Sequence, residues 1–464
     1  MSVADAKQAL RALLEDRLIT SEQDGFAAAR QVWNPAVTTR PAMIARCADT
    51  RDVGGVVRIA GDHGLPLSVR AGGHDWAGRA LRKGGIVLDL TPMRAVTIDG
   101  ATKTASVQGG AIADDLIGAA TPYGMVAATG VVGGVGLAGL TLAGGYGALI
   151  GRCGLAADNL LGAEVVLADG TTVVAGPEGD ADLWWALRGG GGNFGVVTAL
   201  RFRLHEVPSL LAGILMFPAS EGRAVLNGYA EIVAEARDDL TVMTGFLPGP
   251  QGPLAFLCPF WSSSDLAAGD RVITRLRTLG HAVVDQVRPM PYGGALRMFD
   301  ASMTPGAHYL LRSRSLAAVE PGAADVLVAA AREMGPYSTL IVNHFHGAAS
   351  RVDPSATAFA QRRPHHPVEV IASWLPEDSP DRHRAWADGV ETALTPLALP
   401  GGYPNLLGPH EDARARDSFG PNLERLLALK RRYDPDLLFS AIPALTDTNA
   451  DNAIPSRTDT SVDK

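Results

Sequence analysis

The sequence predicts an α+β protein built from two regions of different composition. Glycine is frequent between residues 109 and 195, and the segments between the glycines have the patterns of short strands and hairpins. From residue 210 to about 397 glycine becomes scarce, and strand patterns alternate with long helical patterns. Such a succession is typical of an α+β domain with a mainly antiparallel sheet. We therefore expect a glycine-rich first domain followed by an α+β second domain.

The first domain is expected at residues 36–206, after an N-terminal helical segment at 1–35 whose apolar residues recur at helical spacing. It begins with a β-α-β-β unit: a strand at 42–46, a helix capped by Thr50, and strands at 65–69 and 85–90. Asp-Gly pairs at 99–100 and 169–170 predict two hairpins. Helices at 111–120 and 180–187 and an alternating strand at 196–204 complete the domain.

The second domain is expected at residues 207–398. Its predicted strands lie at 211–217, 241–247, 254–261, 282–287, 339–345 and 369–374, and its predicted helices at 221–236, 265–279, 323–334 and 381–395. Residues 399–445 contain a further helix at 420–432 and are expected to return to the first domain. Residues 446–464 are polar and short of core residues, so we expect a disordered tail.

Charge and cysteine content exclude several classes of protein. The net charge is −8 and no run of Lys or Arg occurs, which argues against nucleic acid and anionic membrane surfaces as partners. The three cysteines are far apart and form no CxxC pair, so neither a disulfide framework nor a metal site is expected. The N-terminal residues lack a basic region and a continuous apolar core, so we expect no signal peptide, and no stretch of ~18 apolar residues occurs. We therefore expect a cytoplasmic protein; the sequence carries no signal for its oligomeric state.

The stretch 65–80 presents a reactive side chain on a loop. Its strand stops at Arg70-Ala71-Gly72-Gly73, where two glycines permit backbone angles that other residues avoid. His74 and Asp75 follow directly, on a loop that the strand supports. The arrangement predicts a functional imidazole; an ordinary surface histidine after a turn is the alternative.

The glycines at 127–151 are too dense for regular structure and indicate a cofactor site. Gly134, Gly136 and Gly139 match G-x-G-x-x-G, but the helix that a Rossmann fold needs would contain three further glycines at about 1 kcal/mol each. Clustered glycines can instead direct backbone N–H groups toward a pyrophosphate. The run 189–195 offers a second surface of this kind. Together with His74 this favours a dinucleotide across the first domain; tight turns in a glycine-rich barrel are the alternative.

Four motifs occur in order along the chain: Arg70 to His74, GVGLAGLTLAGGYG at 134–147, GLAADNLLGAEVVLADG at 154–170, and DLWWALRGGGGNFGVVT at 182–198. Tyr-Pro-Asn at 403–405 and Tyr-Asp-Pro at 433–435 continue the series. Together they resemble the berberine bridge enzyme-like FAD oxidoreductases of the vanillyl-alcohol oxidase superfamily. The resemblance implies a two-subdomain PCMH-type FAD-binding domain followed by a substrate-binding domain.

The resemblance also implies how FAD is held. The histidine of R-x-G-G-H is bonded to the 8α-methyl of FAD in that family, so His74 is expected to carry the flavin. Val132 stands where doubly linked relatives have cysteine, which implies a single covalent link. The other expected cofactor-binding residues match the family's FAD-contacting segments: Arg70, Ala71, Gly72, Gly73, Asp75, Gly130, Gly134, Gly136, Gly139, Gly144, Gly145, Asp158, Asn159, Gly192, Asn193, Gly195, Val197 and Asn405.

The expected reaction is oxidation of an alcohol or amine carbon of a small molecule, with hydride transfer to flavin N5 and reduction of O₂ to H₂O₂. Val135 stands where O₂-using relatives have a small residue and dehydrogenase-type relatives have leucine, which favours an oxidase. His344 and His346, two apart on a predicted strand, and Tyr403, which shares a face with Asn405 if extended, are the candidate proton acceptors. Each has a structural hydrogen-bonding role as its alternative.

Further expectations concern the substrate side and the C-terminus. Arg312 is a candidate anion clamp, and His365 and His366 are expected in a solvent-exposed loop. The segment 438–443 lacks an asparagine pair that relatives often have there, so Asn405 is expected to supply part of those contacts. Two alternatives stay open: a dehydrogenase or oxidative tailoring enzyme with another acceptor, and a flavin-binding protein without catalysis.

Overall fold

The computed structural model of the chain describes residues 3–207, 209–299, 304–409, 411–441 and 445. Its first sheet contains β1 (Leu18–Thr20), β2 (Met43–Arg46), β3 (Leu67–Arg70) and β4 (Ile86–Asp89), in the order β1-β2-β4-β3. Strands β2 and β3 are both parallel to β4, as a β-α-β-β unit requires. Helices α1 (Val3–Leu14) and α3 (Thr50–Asp62) bury their apolar faces on one side of this sheet, and α2 (Phe26–Ala29) packs on the other.

One predicted helix cap is wrong. Asp49, not Thr50, is the N-cap of α3, because its carboxylate accepts the N–H of Asp52. The Thr50 hydroxyl instead donates to Glu164 at 2.6 Å.

The second sheet is wholly antiparallel and confirms both predicted hairpins. It contains β5 (Val96–Asp99), β6 (Thr104–Gln108), β8 (Leu160–Val166), β9 (Thr172–Ala175) and β10 (Val196–Arg203), in the order β5-β6-β10-β8-β9, while β7 (Met125–Val126) pairs with β11 (His205–Glu206). The helices of this region are α4 (Ala113–Ala120), α5 (Leu137–Leu142), α6 (Ile150–Cys153) and α7 (Ala181–Leu187). The expectation that 127–151 lacks regular structure is therefore wrong for α5, which ends before the next glycines begin.

The third sheet is a large antiparallel sheet, as predicted for the second domain. It contains β12 (Leu210–Ala212), β13 (Leu215–Pro218), β14 (Leu240–Leu247), β15 (Leu254–Trp261), β16 (Val284–Asp285), β17 (Arg288–Met290), β18 (His308–Leu316), β19 (Thr339–Val342) and β20 (His366–Trp374). Its main path is β16-β13-β15-β14-β19-β20-β18, and β12 pairs with β15 and β17. Its helices are α8 (Gly222–Ala234), α9 (Leu266–Arg277), α10 (Tyr292–Ala295), α11 (Pro321–Arg332), α12 (Ala348–Arg351) and α13 (Pro380–Leu394).

Three predicted strands of this domain are shortened or divided, including that at 339–345, which ends at Val342 of β19, and two strands, β17 and β18, were missed. The strand predicted at 211–217 is divided at Gly213, where any Cβ would lie 2.3 Å from the carbonyl oxygen of Gln286. The strand predicted at 282–287 is reduced to β16. Strand β18 was not predicted, although it pairs with β20 along nine residues.

The third sheet separates two hydrophobic cores. Val368, Val370 and Ala372 of β20 face a core shared with α8, α11 and α13. Met243 and Leu247 of β14 face the other way, into a core shared with the first domain. Because successive residues of a strand point to opposite faces, Glu369 and Ile371 also lie on the side of the first domain.

The C-terminal helices α14 (Asp412–Phe419) and α15 (Leu423–Tyr433) bring the chain back against the glycine-rich region. The buried Lys430 ammonium donates to the carbonyl of Asn193 at 2.8 Å and to that of Phe439, and it pairs with Asp434. The Tyr433 hydroxyl donates to Asp180 at 2.7 Å. The tail predicted at 446–464 lies outside the described residues. Among those residues no helix is long and apolar enough to span a bilayer.

Candidate active site

A cavity of about 480 Å³ lies between the glycine-rich loops and the third sheet. Its walls come from the loop after β3 (71–76), the loops at 130–147 and 191–197, the facing side chains of β14, β18, β19 and β20, and the C-terminal segments 403–406 and 439–441. Most of the lining is apolar, and a few polar groups converge on it. This is the usual composition of a site for a cofactor and a small molecule.

His74 reaches the cavity because an ion pair at the end of β3 anchors the loop that carries it. Arg70, at the end of β3, is buried and pairs with Asp89 of β4, with Nε and Oδ1 3.1 Å apart. The His74 ring lies against Trp33, with 4.6 Å between the ring centroids. Enclosure in the cavity lowers the pKa of His74 to about 4. The imidazole is therefore neutral at pH 7, the form that acts as a nucleophile.

Two glycines bring the His74 loop against the loop at 130–139. A Cβ on Gly72 would lie 2.4 Å from the backbone nitrogen of Gly136, and a Cβ on Gly136 would lie 2.5 Å from that of Gly72. Any larger residue at either position would separate the loops. Because neither glycine has a side chain, the backbones of both loops are exposed to the cavity at this contact. A flat or anionic group can therefore come close to them.

A buried polar cluster around Glu369 of the third sheet lines the same cavity as His74. Glu369 of β20 accepts hydrogen bonds from the Tyr146 hydroxyl at 2.8 Å and from the Asn343 amide at 2.7 Å. Desolvation raises the pKa of Glu369, while these two hydrogen bonds oppose the rise. A carboxylate with a raised pKa is a stronger base than an ordinary carboxylate, which suits it to accept a proton.

Tyr403 completes this cluster. Its hydroxyl accepts the N–H of Gly145 at 2.9 Å, its ring meets that of Tyr146 edge to face at 4.5 Å, and the Asn405 amide lies 3.5 Å from its hydroxyl. Tyr403 is the N-cap of a short 3₁₀ turn (Pro404–Leu406) that contains Asn405, so the two residues do not lie on an extended segment. Burial raises the pKa of Tyr403, so its phenol is a neutral hydrogen-bonding group at pH 7.

The two predicted histidines lie beyond the end of β19 and do not share a strand. Their rings nevertheless stack in parallel at 3.7 Å, with His344 in the cavity wall and His346 within 3.3 Å of the Thr241 hydroxyl. Burial lowers the pKa of His346 to about 4 and that of His344 well below its ordinary value. Of the polar groups facing the cavity, Glu369 is thus better suited to accept a proton than either histidine.

Two other substrate-side expectations are wrong. Arg312 pairs with Asp388 of α13 at 2.8 Å, outside the cavity wall, so it does not clamp an anion there. His365 and His366 are 4% and 9% exposed instead of lying in an open loop. His366 begins β20, and its ring lies 3.1 Å from the Tyr229 hydroxyl.

Comparison with known proteins agrees with this geometry. Residues 41–176 match a protein-family model described as "FAD binding domain". Residues 402–443 match a second family model, described as "Berberine and berberine like". The (R)-6-hydroxynicotine oxidase of Paenarthrobacter nicotinovorans is 31% identical over 445 residues, which cover 92% of this chain and 95% of that protein. The chain belongs to the berberine bridge enzyme-like family. It is accordingly an FAD-dependent oxidoreductase.

Solved structures of this family share the whole fold. The crystal structure of 6-hydroxy-D-nicotine oxidase from Arthrobacter nicotinovorans has a TM-score of 0.84 and 30% identity, over 92% of this chain and 97% of that one. A variant of berberine bridge enzyme has a TM-score of 0.85 at 19% identity, over 96% and 99% of the two chains, which shows the fold alone.

The residues present fit the FAD that the berberine bridge enzyme-like family binds. The close approach of Gly72 and Gly136 is a cradle that side chains would fill, and a neutral imidazole stands at its edge. Predicted cofactor and gate residues that line the cavity are Ala71, Gly72, Gly73, His74, Asp75, Gly130, Val135, Gly136, Gly139, Gly192, Gly195, Val197 and Asn405.

The remaining predicted cofactor residues lie outside the cavity wall. Asp158 forms an ion pair with the buried Arg362 at 2.8 Å, and the Asn159 amide donates to two backbone carbonyls. The Asn193 carboxamide accepts the N–H of Ala441 at 2.9 Å. Arg70, Gly134, Gly144 and Gly145 are likewise absent from the wall. Of these, Arg70 anchors the His74 loop through Asp89, and the Gly145 N–H donates to Tyr403.

Tyr146 and Glu369 are polar residues of the cavity wall that were not predicted from the sequence as substrate-side residues. Glu369 is an acidic residue within the apolar stretch 366–374, and its neighbours Val368 and Val370 point to the opposite core. That contrast could have marked Glu369 as facing a cavity. Tyr146 lies inside a motif assigned to the cofactor, and nothing in its local sequence separates it from that role.

Proposed function

We propose that this enzyme is an oxidase whose FAD is bonded to His74 and whose substrate is a small, largely apolar alcohol or amine. The observation that carries the proposal is a neutral, enclosed imidazole and a carboxylate of raised pKa facing one apolar cavity. When bound, FAD supplies the acceptor for a hydride at N5 and passes the electrons to O₂, giving H₂O₂.

The chain's own residues account for substrate binding and proton removal. The facing side chains of the third sheet form an apolar wall that includes Met243, Leu311 and Ile371 and suits a hydrophobic body. Glu369 accepts the proton from the substrate's hydroxyl or ammonium group as the carbon–hydrogen bond breaks. The Tyr146 hydroxyl and the Asn343 amide keep the Glu369 carboxylate in position.

The attachment of the flavin is tested by acid precipitation of the purified protein, followed by comparison of the colour of pellet and supernatant. A yellow pellet that His74→Ala converts to a yellow supernatant supports the link through His74. A white pellet from the unaltered protein would contradict that link while leaving FAD binding intact. A protein that stays colourless after incubation with FAD would contradict the oxidase proposal as a whole.

The choice of O₂ as acceptor rests on Val135, which lines the cavity beside the His74 loop, and on the relative named as an oxidase. Rapid mixing of the reduced enzyme with air-saturated buffer distinguishes O₂ from another acceptor. Reoxidation that keeps pace with turnover supports an oxidase. Reoxidation much slower than turnover would favour the dehydrogenase or tailoring alternative.

A further inference from the structure

The structure places three aromatic rings in a row at the point where His74 enters the cavity. The Trp33 ring stacks on His74 at 4.6 Å between centroids and 19° between planes, and on Tyr309 at 4.3 Å and 25°. All three rings line the cavity. The central ring comes from the N-terminal segment at 1–35, in which the sequence predicts no functional residue.

Trp33 is tied through its backbone to the loop that carries His74. Its N–H donates to the carbonyl of Gly73 at 2.9 Å. Arg70 donates to the carbonyls of Ala29 and Gln31, just before Trp33, while holding Asp89. The arginine of the R-x-G-G-H motif therefore fixes the histidine loop and the tryptophan segment together.

The adjacent Asn34 fixes the far side of the stack. Its amide donates to the carbonyls of Trp76 at 2.7 Å and Tyr309 at 2.9 Å, and its carbonyl oxygen accepts the N–H of Tyr309 at 3.1 Å. Asn34 thus joins the histidine loop to the edge strand β18 of the second domain. The three rings are held at a set spacing by backbone contacts as well as by their own stacking.

Stacking on one face restricts rotation of the imidazole but leaves its edges free. The lone pair of a neutral imidazole nitrogen lies in the ring plane, so the orientation of that plane decides which atom the nitrogen can reach. Attachment replaces the imidazole N–H bond and one C–H bond of the 8α-methyl with an N–C bond. The two electrons and two protons released reduce the flavin, and O₂ removes them as H₂O₂.

We infer that Trp33, held between Tyr309 and His74, is a positioning residue that orients His74 for covalent attachment of FAD. The inference rests on the His74 link proposed above. It assigns Trp33 a role in the rate of bond formation and none in the later oxidation of substrate.

The test compares Trp33→Leu, Trp33→Phe and the unaltered protein, each prepared without FAD and then incubated with it. The measured quantity is the rate at which flavin fluorescence becomes acid-precipitable. We expect Trp33→Leu to slow attachment about 10- to 100-fold, the range that misplacement of a reacting group produces. Trp33→Phe keeps a stacking ring and should recover most of the rate. FAD bound before acid treatment should be similar in all three.

A matched control is Trp386→Leu. The Trp386 indole of α13 donates to the carbonyl of Ala330 in α11 and lies outside the cavity wall. This variant should leave the attachment rate unchanged. A Trp33→Leu protein that binds FAD and attaches it at the normal rate would overturn the role of Trp33 while leaving the His74 link in place. Release of all flavin from the unaltered protein by acid would overturn the link and the inference together.

Tyr309→Leu provides a second variant in case Trp33→Leu does not fold. It removes the outer ring and keeps the backbone contacts of Asn34 to residue 309. We expect attachment to slow by a smaller factor than in Trp33→Leu. An unchanged attachment rate in Tyr309→Leu, at equal FAD occupancy, would contradict the inference that stacking of Trp33 between Tyr309 and His74 orients the imidazole.

Discussion

Glu369 combines a cavity position, two hydrogen-bond donors and a raised pKa, and no other carboxylate in the described cavity wall combines all three. We predict that Glu369→Gln lowers the rate of flavin reduction by substrate about 100-fold or more, because a general base contributes factors of that size. Anaerobic stopped-flow bleaching of the flavin measures this rate directly. Glu391→Gln, at a partly buried carboxylate outside the cavity, is the control and should keep the rate.

The pH dependence of kcat/KM provides a second measurement of the same residue. A protonated Glu369 cannot accept a proton, so kcat/KM should fall as the pH drops through its raised pKa. This acid limb should be absent in Glu369→Gln. If the variant keeps both the limb and the rate, another group, with His344 the nearest candidate, receives the proton.

Val135 and Val132 both line the cavity, so the same substitution can be compared at the two positions. We predict that Val135→Leu slows reoxidation of the reduced flavin by O₂ about tenfold, equivalent to ~1.4 kcal/mol in the barrier, because the larger side chain restricts access. Reduction by substrate under anaerobic conditions should change little. Val132→Leu is the control for added bulk elsewhere in the wall. Equal reoxidation rates in the two variants would show that Val135 is not the O₂ gate.

At the scale of elements, the contact between the His74 loop and the loop at 130–139 depends on two glycines. We predict that Gly72→Ala reduces FAD binding and lowers stability by about 1–3 kcal/mol, the usual effect of overpacking, because its methyl group would meet Gly136. Gly134→Ala places a methyl group where nothing lies within 4 Å and should retain FAD. Flavin content after gel filtration and a urea titration measure the two effects.

The C-terminal segment is held by a buried ion pair between Lys430 and Asp434, which are 3% and 0% exposed. Lys430→Met leaves the Asp434 charge unpaired, and we predict a loss of about 3–5 kcal/mol in the free energy of unfolding. Lys103→Met breaks an exposed pair with Glu206 and should cost less than about 1 kcal/mol. Denaturant titration compares the two; similar losses would mean that the buried pair does not anchor the segment.

Local patterns predicted most elements of the fold, and the missed strand β18 shows where they fail. Strand β18 carries Arg312 and Arg314 on the side that other strands fill with apolar residues. Their charges are matched by Asp388 and Glu391 of α13, some 76 and 77 residues away. A strand whose polar face is neutralised by a distant helix has no periodic apolar signal.

The site residues show the same contrast between what local sequence predicts and what depends on distant partners. The His74 loop was predicted because its strand, glycines and imidazole are consecutive in the sequence. Glu369 was not, because its role depends on Tyr146, 223 residues away, and on Asn343, 26 residues away. Asp158 and Asn159 were assigned to the cofactor from a motif, whereas the structure uses both side chains to hold loops.

At the scale of the whole molecule, buried neutral histidines make stability depend on pH. Burial lowers the pKa of His346, His365 and His366 to about 4, against about 6.5 when unfolded. Below pH 6.5 the unfolded chain therefore binds more protons than the folded chain. We predict that the free energy of unfolding falls between pH 6.5 and 4, by on the order of 1–2 kcal/mol per histidine at pH 5.

His365→Gln tests this prediction, because it removes one of the titrating groups and should flatten the fall by up to one proton per molecule. His281→Gln alters a histidine on the surface, away from the buried imidazoles, and serves as the control; it should flatten the fall less than His365→Gln. Urea titrations at several pH values give the slopes. A slope that is the same for both variants and the unaltered protein would contradict the role of the buried imidazoles.

The walls of the cavity come from distant parts of the chain: Arg82, near the His74 loop, donates to Ser440, 358 residues later. A ribosome adds about 5–20 residues per second, so roughly 20–70 seconds separate the synthesis of these two residues. Throughout that interval the nascent chain displays the histidine loop without its final wall. The complete cavity wall therefore exists only after residue 440 has been synthesised, and we expect FAD to bind the finished polypeptide and not the growing one.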